Sequence, residues 1–228
     1  MAKSAKAPVI GHPQDDLFAS NVGAFAVDTT FRTASRVTLD AHSWIEVVPG
    51  WISGAHILFE RMRKVVPWKG HDRKMFDQIF REPRMTATYK TLDEVPDIGL
   101  REALSALSNH YGITYDSVWM NLYRSGQDST AWHGDYHSCR KEECIVPVLT
   151  LGATRRFLIK PRKGGRSVAF KPGSGDLIVM GGRSQREWVH SVPKEPGIAQ
   201  ERISVNFQSH AQSVRDKRPA TTNGRNEG

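Results

Sequence analysis

His133, Gly134 and Asp135, with His190 well downstream, are the residues of this chain best fitted to do chemistry. Two imidazoles and one carboxylate in a His-x-Asp…His order can cover one face of an octahedron around non-heme Fe(II). The opposite positions then stay open for substrate and O2. The spacing suits a strand, where residues two apart point to the same side. His133 and Asp135 can therefore face one interior while a later strand brings His190. The motif is short and the chain holds nine histidines, so surface or core histidines are the competing reading.

Flanking segments narrow the choice. In the run after Ser117, Val118, Met120 and Leu122 alternate with Trp119, Asn121 and Tyr123. A strand here puts Asn121 and Tyr123 on one face, as a carboxylate-binding wall or as a polar face in water. In a later run Ile203, Val205 and Phe207 form an apolar stripe, with Arg202, Ser204, Asn206 and Gln208 opposite. Arg202 follows closely enough on His190 for an adjacent strand to set its guanidinium beside a metal. Arginine stays charged and binds carboxylates through two parallel hydrogen bonds. A surface arginine on an edge strand is the alternative. A triad with an arginine nearby suits a chelating 2-oxo acid whose distal carboxylate pairs with Arg202.

Taken in order, Asn121–Arg124, Trp132–Asp135, Leu151–Phe157, Trp188–Lys194 and Arg202–Phe207 resemble the AlkB family of Fe(II)/2-oxoglutarate dioxygenases. The resemblance covers roughly residues 40–208 and is strongest from Ser117 onward; Pro83–Tyr89 resembles the family's nucleotide-recognition region more loosely. It implies Fe(II) held by His133, Asp135 and His190, and 2-oxoglutarate held by Asn121, Tyr123, Arg202 and Ser204. It further implies oxidation of 2-oxoglutarate by O2 to succinate and CO2, with hydroxylation of an N-alkyl carbon that departs as an aldehyde. The substrate class so implied is N-alkylated bases of the 1-methyladenine or 3-methylcytosine type, in DNA or RNA, for alkylation repair. A base in a duplex must first be flipped from the stack.

Two positions depart from the family pattern. Gln208 stands where a second arginine is usual, and Tyr136 and His137 follow the His-x-Asp where an acid often touches the base. Tyr89, Tyr136, His137 and Gln208 are thus the substrate-pocket candidates, and base identity does not carry over. Trp132 can stack on a base too, though core is the preferred reading. Two rivals remain: the same dioxygenase chemistry on a small molecule or protein side chain, and a catalytically silent nucleic-acid-binding module.

With 228 residues, 39% hydrophobic and 25% charged, the chain is expected to be one globular domain and a monomer. No apolar run is long enough for a membrane helix, and Met1–Pro8 lacks the apolar stretch of a secretory signal. Cys139 and Cys144 suggest free thiols in a reducing cytosol; a zinc site with His137 is the alternative. The expected location is cytoplasmic, on the nucleoid if the source is bacterial. A net charge of +8 favours a polyanionic partner. Basic residues crowd Arg155–Arg166, and again Arg61–Lys90 with Trp68, Phe76, Phe80 and Tyr89 between them. Basic residues beside aromatics suit a nucleic-acid surface. Phe80, Arg84, Lys160, Arg162, Lys163 and Arg166 are its candidate contacts, against a merely solvated basic face.

Composition suggests flexible tails at 1–14 and 211–228 around one dioxygenase domain, 15–210. Its helical, nucleotide-recognition portion spans about 40–112 and its jelly-roll core about 117–208. Ser53 is expected to cap a helix carrying Ile57, Leu58, Met62 and Val65. Asp97 is expected to cap another, carrying Leu100, Ala103, Leu104, Leu107 and Tyr111 and stopping at Gly112. Strands are expected at 117–124, 145–151, 155–160, 167–171, 176–180, 187–192 and 202–208. The fold class is α+β, a double-stranded β-helix (jelly roll) with helices buttressing one sheet.

Overall fold

Every strand expected after residue 117 forms, within about two residues of its expected bounds, and strands from the N-terminal half join them. The computed structural model describes residues 25–75, 78–135 and 138–214, the side chains of residues 71–81 excepted. Phe76, Tyr136, His137, the Phe80 side chain and the stretch 1–14 lie outside the described residues.

In chain order the first strands are β1 (Ala26–Val27), β2 (Ser35–Thr38), β3 (Ser43–Val48) and β4 (Ile52–Ser53). Helix α1 (Ala55–Val65) follows, then β5 (Lys69–Met75), β6 (Gln78–Tyr89) and helix α2 (Ile98–Tyr111). The remaining strands are β7 (Ser117–Tyr123), β8 (Thr130–His133), β9 (Cys144–Gly152), β10 (Phe157–Pro161) and β11 (Val168–Phe170). Last come β12 (Leu177–Gly182), β13 (Trp188–Val192) and β14 (Arg202–Gln208).

An eight-stranded sheet runs β2-β3-β12-β9-β14-β7-β6-β5, and a four-stranded sheet runs β11-β10-β13-β8. Every pairing is antiparallel, so the architecture is a jelly roll. Alternation assigns the faces. Val118 and Met120 of β7, Leu149 and Leu151 of β9, and Ile203 and Val205 of β14 share one core with Leu58 and Met62 of α1 and Leu100, Leu104 and Leu107 of α2. Truncating one such leucine to alanine costs about 2–5 kcal/mol. A second core, with Val146, Val148, Phe157, Ile159, Met180 and Trp188, lies between the sheets. The helices thus brace the larger sheet from behind and leave its other face free to build a site.

Helix α2 starts and stops as the sequence indicates: the Asp97 carboxylate accepts the Gly99 N–H at 2.8 Å, and Gly112 ends it at φ 66°. Helix α1 corrects the expectation. Its cap is Gly54 at φ 65°, a left-handed turn that costs glycine little, while Ser53 belongs to β4. The buried stripe is Ala55, Leu58 and Met62, and Val65 is 55% exposed.

Cys139 and Cys144 also correct the sequence reading. They form a disulfide, Cα to Cα 5.9 Å, so neither is a free thiol or a zinc ligand. The turn between the His-x-Asp motif and β9 brings them together, a closeness that cysteine counting does not reveal. The thiol argument for a reducing compartment goes with it. A helical turn at His210–Ser213 reaches past residue 211, where a tail had been expected, and Gln212 there is buried against Ile145. No helix among the described residues is long and apolar enough to cross a membrane.

Candidate active site

β8 and β13 lie side by side with His133 opposite His190. His133 on β8, His190 on β13 and Asp135 just past the end of β8 bring three atoms that could ligate a metal, one from each, within 4.8 Å of one another. Asp135 Oδ1 is 3.5 Å from His133 Nε2, and its Oδ2 is 3.4 Å from His190 Nε2. Each of the three side chains is held from behind. His133 Nδ1 is 2.8 Å from the Ala131 carbonyl; donating there, it leaves Nε2 with its lone pair toward the cluster. The Asp135 N–H donates to Gln185 Oε1 at 2.8 Å, and the Asp135 carbonyl accepts from Ser138 and Cys139. The His190 ring stacks on Phe157, centroids 5.3 Å apart.

The electrostatics suit a cation. Burial pushes the His190 imidazole down to about 4, with Asp135 pulling against it, so the ring is neutral near pH 7. Burial also opposes charge on Asp135, but the neighbouring histidines and Arg84 outweigh it and hold the carboxyl below its ordinary value. Asp135 Oδ2 is buried with no hydrogen-bond donor. A carboxylate oxygen in that state is costly unless a cation completes it. The donor set and the orphaned oxygen fit Fe(II).

Beside the cluster opens a cavity of about 320 Å3. The register of β14 against β7 sets its wall, with Arg202 opposite Tyr123 and Ser204 opposite Asn121. Arg202 is 2% exposed. Its Nη2 donates to Thr150 Oγ1 at 3.1 Å, while Nε and Nη1 have no partner. Burial lowers its pKa, and Tyr123, its ring 5.2 Å away, counters. A buried guanidinium with two idle donors on a cavity wall is built for an anion. Asn121 Nδ2 donates to Ser204 Oγ at 3.1 Å, and its Oδ1 accepts from Arg84 Nε and Trp119 Nε1 at 2.8 and 3.1 Å. The Tyr123 hydroxyl pairs with Thr130 Oγ1 at 2.7 Å.

Other candidates are redistributed. Arg84, a candidate nucleic-acid contact, lines this same cavity. Tyr89 pairs with Val118 across β6 and β7 and so packs on the helix side, away from the triad. One residue along a strand reverses the face, and Thr86 and Thr88 are the ones beside Asn121 and Trp119. Gln208 lines the cavity with its amide donating to Ser138 Oγ at 2.6 Å.

The basic run divides. Arg155 is 1% exposed and donates to Glu195 and to the carbonyls of Ser125, Asp128 and Pro193. Arg156 also pairs with Glu195. Arg162 donates to the carbonyls of Arg186, Gln185 and Trp188. Lys163 and Arg166 are exposed, and the Lys160 ammonium lies 4.3 Å from the centre of the Trp132 ring. Trp132 is 40% exposed, not core. Sequence reasoning missed Thr150, whose lone hydroxyl in the apolar run Val146–Leu151 was a readable signal, and Gln185, which carried none.

The family model of the 2OG-Fe(II) oxygenase superfamily matches residues 53–218. The chain is 30% identical over 209 residues to "Alpha-ketoglutarate-dependent dioxygenase alkB homolog 3" of Homo sapiens, covering 82% of this chain and 70% of that one. Its Bos taurus counterpart is 30% identical over 183 residues, covering 71% of this chain, which spans 64% of that relative's length. "DNA oxidative demethylase ALKBH2" of Arabidopsis thaliana is 25% identical over 191 residues, with coverage of 66% and 60%. A solved structure, "The structure of OsALKBH1", superimposes with TM-score 0.51 at 14% identity, covering 77% of this chain and all of that one; that likeness bears on the fold alone.

Proposed function

The chain belongs to the AlkB family of the 2OG-Fe(II) oxygenase superfamily, and from that premise we propose that it is an oxidative dealkylase of nucleic acid. Its substrates on this reading are N-alkylated bases of the 1-methyladenine and 3-methylcytosine type in DNA, with RNA as the second strand type, and its role is repair of alkylation damage. The observation that carries the reading is the pairing, on one cavity, of the His133–Asp135–His190 cluster with the two unpartnered donors of buried Arg202. A binding module has no need of either.

In this mechanism His133, His190 and Asp135 would hold Fe(II). Arg202, with Nε and Nη1 unpartnered, would take the distal carboxylate of 2-oxoglutarate, and Thr150 holds its third nitrogen in place. The second Asn121 amide hydrogen, not used by Ser204, would be a further donor for the cosubstrate on the cavity wall. Tyr123, held by Thr130, closes the wall beside it. Bound Fe(II) supplies the activation of O2 that couples 2-oxoglutarate oxidation to hydroxylation of an N-alkyl carbon. Two relatives, an alkB homolog and a DNA oxidative demethylase by name, support the substrate class.

The test is to incubate the purified chain with Fe(II), 2-oxoglutarate and alkylated oligonucleotides, following succinate and base mass together. Coupled succinate formation and demethylation is the expected result. Succinate with no base change would transfer the activity to a small molecule or protein side chain. Neither product would leave a binding module.

A further inference from the structure

Trp132 and His133 are neighbours on β8, so their side chains leave opposite faces of the strand. His133 points inward to the cavity. Trp132 therefore stands on the outer face of the four-stranded sheet. Lys160 reaches the same face from β10, because Ile159 beside it is buried inward in the core between the sheets. Val189 of β13 pairs with Lys160 and lies between the two strands. On this face the indole is 40% exposed and has an ammonium 4.3 Å from its centre.

The surrounding charge says what the face suits. Of the basic residues from Arg155 to Arg166, three are occupied by carboxylate or backbone carbonyls, as described above. Lys160, Lys163 and Arg166 remain for an outside partner, and the run Arg155–Arg166 contains no acid. Lys163 and Arg166 stand in the turn leading from β10 toward β11, on the same sheet. A flat aromatic surface with cations at phosphate reach matches a single-stranded nucleic acid, whose unpaired bases expose their faces. A duplex hides those faces and offers phosphates and groove edges instead.

We infer that the Trp132–Lys160 face is a stacking platform for a single strand. One base rests on the indole, Lys160 shifts from the ring to a phosphate, and Lys163 and Arg166 follow the backbone. The inference rests on the nucleic-acid reading above and adds the surface on which the strand lies.

Anisotropy of a labelled, unmodified thymine oligonucleotide, and of its duplex, tests the platform with the full chain. Trp132→Ala should weaken single-strand binding roughly tenfold while changing duplex binding far less, and Trp132→Phe should restore most of the loss. Lys160→Ala should reduce the slope of log affinity against log salt by up to about one. Unchanged single-strand affinity in Trp132→Ala, an equal loss on duplex, or loss of bound iron in that variant would each overturn the platform. If the wild-type chain demethylates oligonucleotides while Trp132→Ala binds them normally, the platform fails and the dealkylase reading stands. If the wild-type chain neither binds nor alters any oligonucleotide, that reading fails and takes the platform with it.

Discussion

Arg162 packs its guanidinium against Gly134, the residue between His133 and Asp135. A Cβ on Gly134 would lie 2.7 Å from Arg162 Nη2 and 2.8 Å from the Gln185 carbonyl. Arg162 cannot retreat easily, because it donates to the carbonyls of Arg186, Gln185 and Trp188. A methyl at 134 must therefore displace His133 and Asp135 from their partners. Gly134→Ala should weaken iron binding by roughly 10- to 100-fold, the range for groups that orient metal ligands. Iron titration beside a thermal melt measures it, and wild-type affinity would mean that the loop has room to adjust.

Arg202 presents a trade between binding and stability. With Nε and Nη1 unpartnered in the absence of an anion, its buried charge burdens the unliganded fold. Arg202→Met should weaken 2-oxoglutarate binding by about 2–5 kcal/mol, as for truncation of one partner of a buried charge pair. The same change should leave the melting temperature of the unliganded chain equal or higher. Calorimetric titration and a melt decide it together. Tight cosubstrate binding by the variant would remove Arg202 from the site.

His190 should be needed for iron but not for folding. It is buried, and its ring lies against Phe157 and His133, with Asp135 beside it. His190→Ala should abolish iron retention and turnover while the chain still melts cooperatively. A variant that turns over at the wild-type rate would refute the triad.

Much of this was legible because alternation along one strand is local. The stripes Val118–Met120–Leu122 and Ile203–Val205–Phe207 are visible without any partner, and they fix which face Asn121 and Arg202 share. The unread parts depend on partners distant in sequence. β3 is buried on both faces and β6 contains Pro83, so neither shows a clean period, yet both complete the larger sheet. Charge counting could not tell Arg155, sealed among carbonyls, from Lys163 in water. Trp132 read as core because tryptophan usually is. Its exposure follows from a sheet whose outer face the two helices, packed behind the other sheet, leave uncovered.

Glu195 gives the pH dependence its sign. Burial alone would raise its pKa, but the Arg156 N–H and the guanidinium groups of Arg155 and Arg156 overcome that and hold it below its ordinary value of 4.5. A carboxyl depressed by folding contributes stability that is fully present above its unfolded pKa and lost as pH falls through the folded one. Glu195→Gln should therefore be less stable than wild type at pH 7, by roughly 1–3 kcal/mol for charge-assisted hydrogen bonds. The gap should narrow below pH 4.5 and close at still lower pH, where both side chains are neutral. Urea melts of the two proteins from pH 7 downward measure the difference. A gap that stays constant across that range would mean that Arg155 is held by its backbone carbonyls alone and draws nothing from the Glu195 charge.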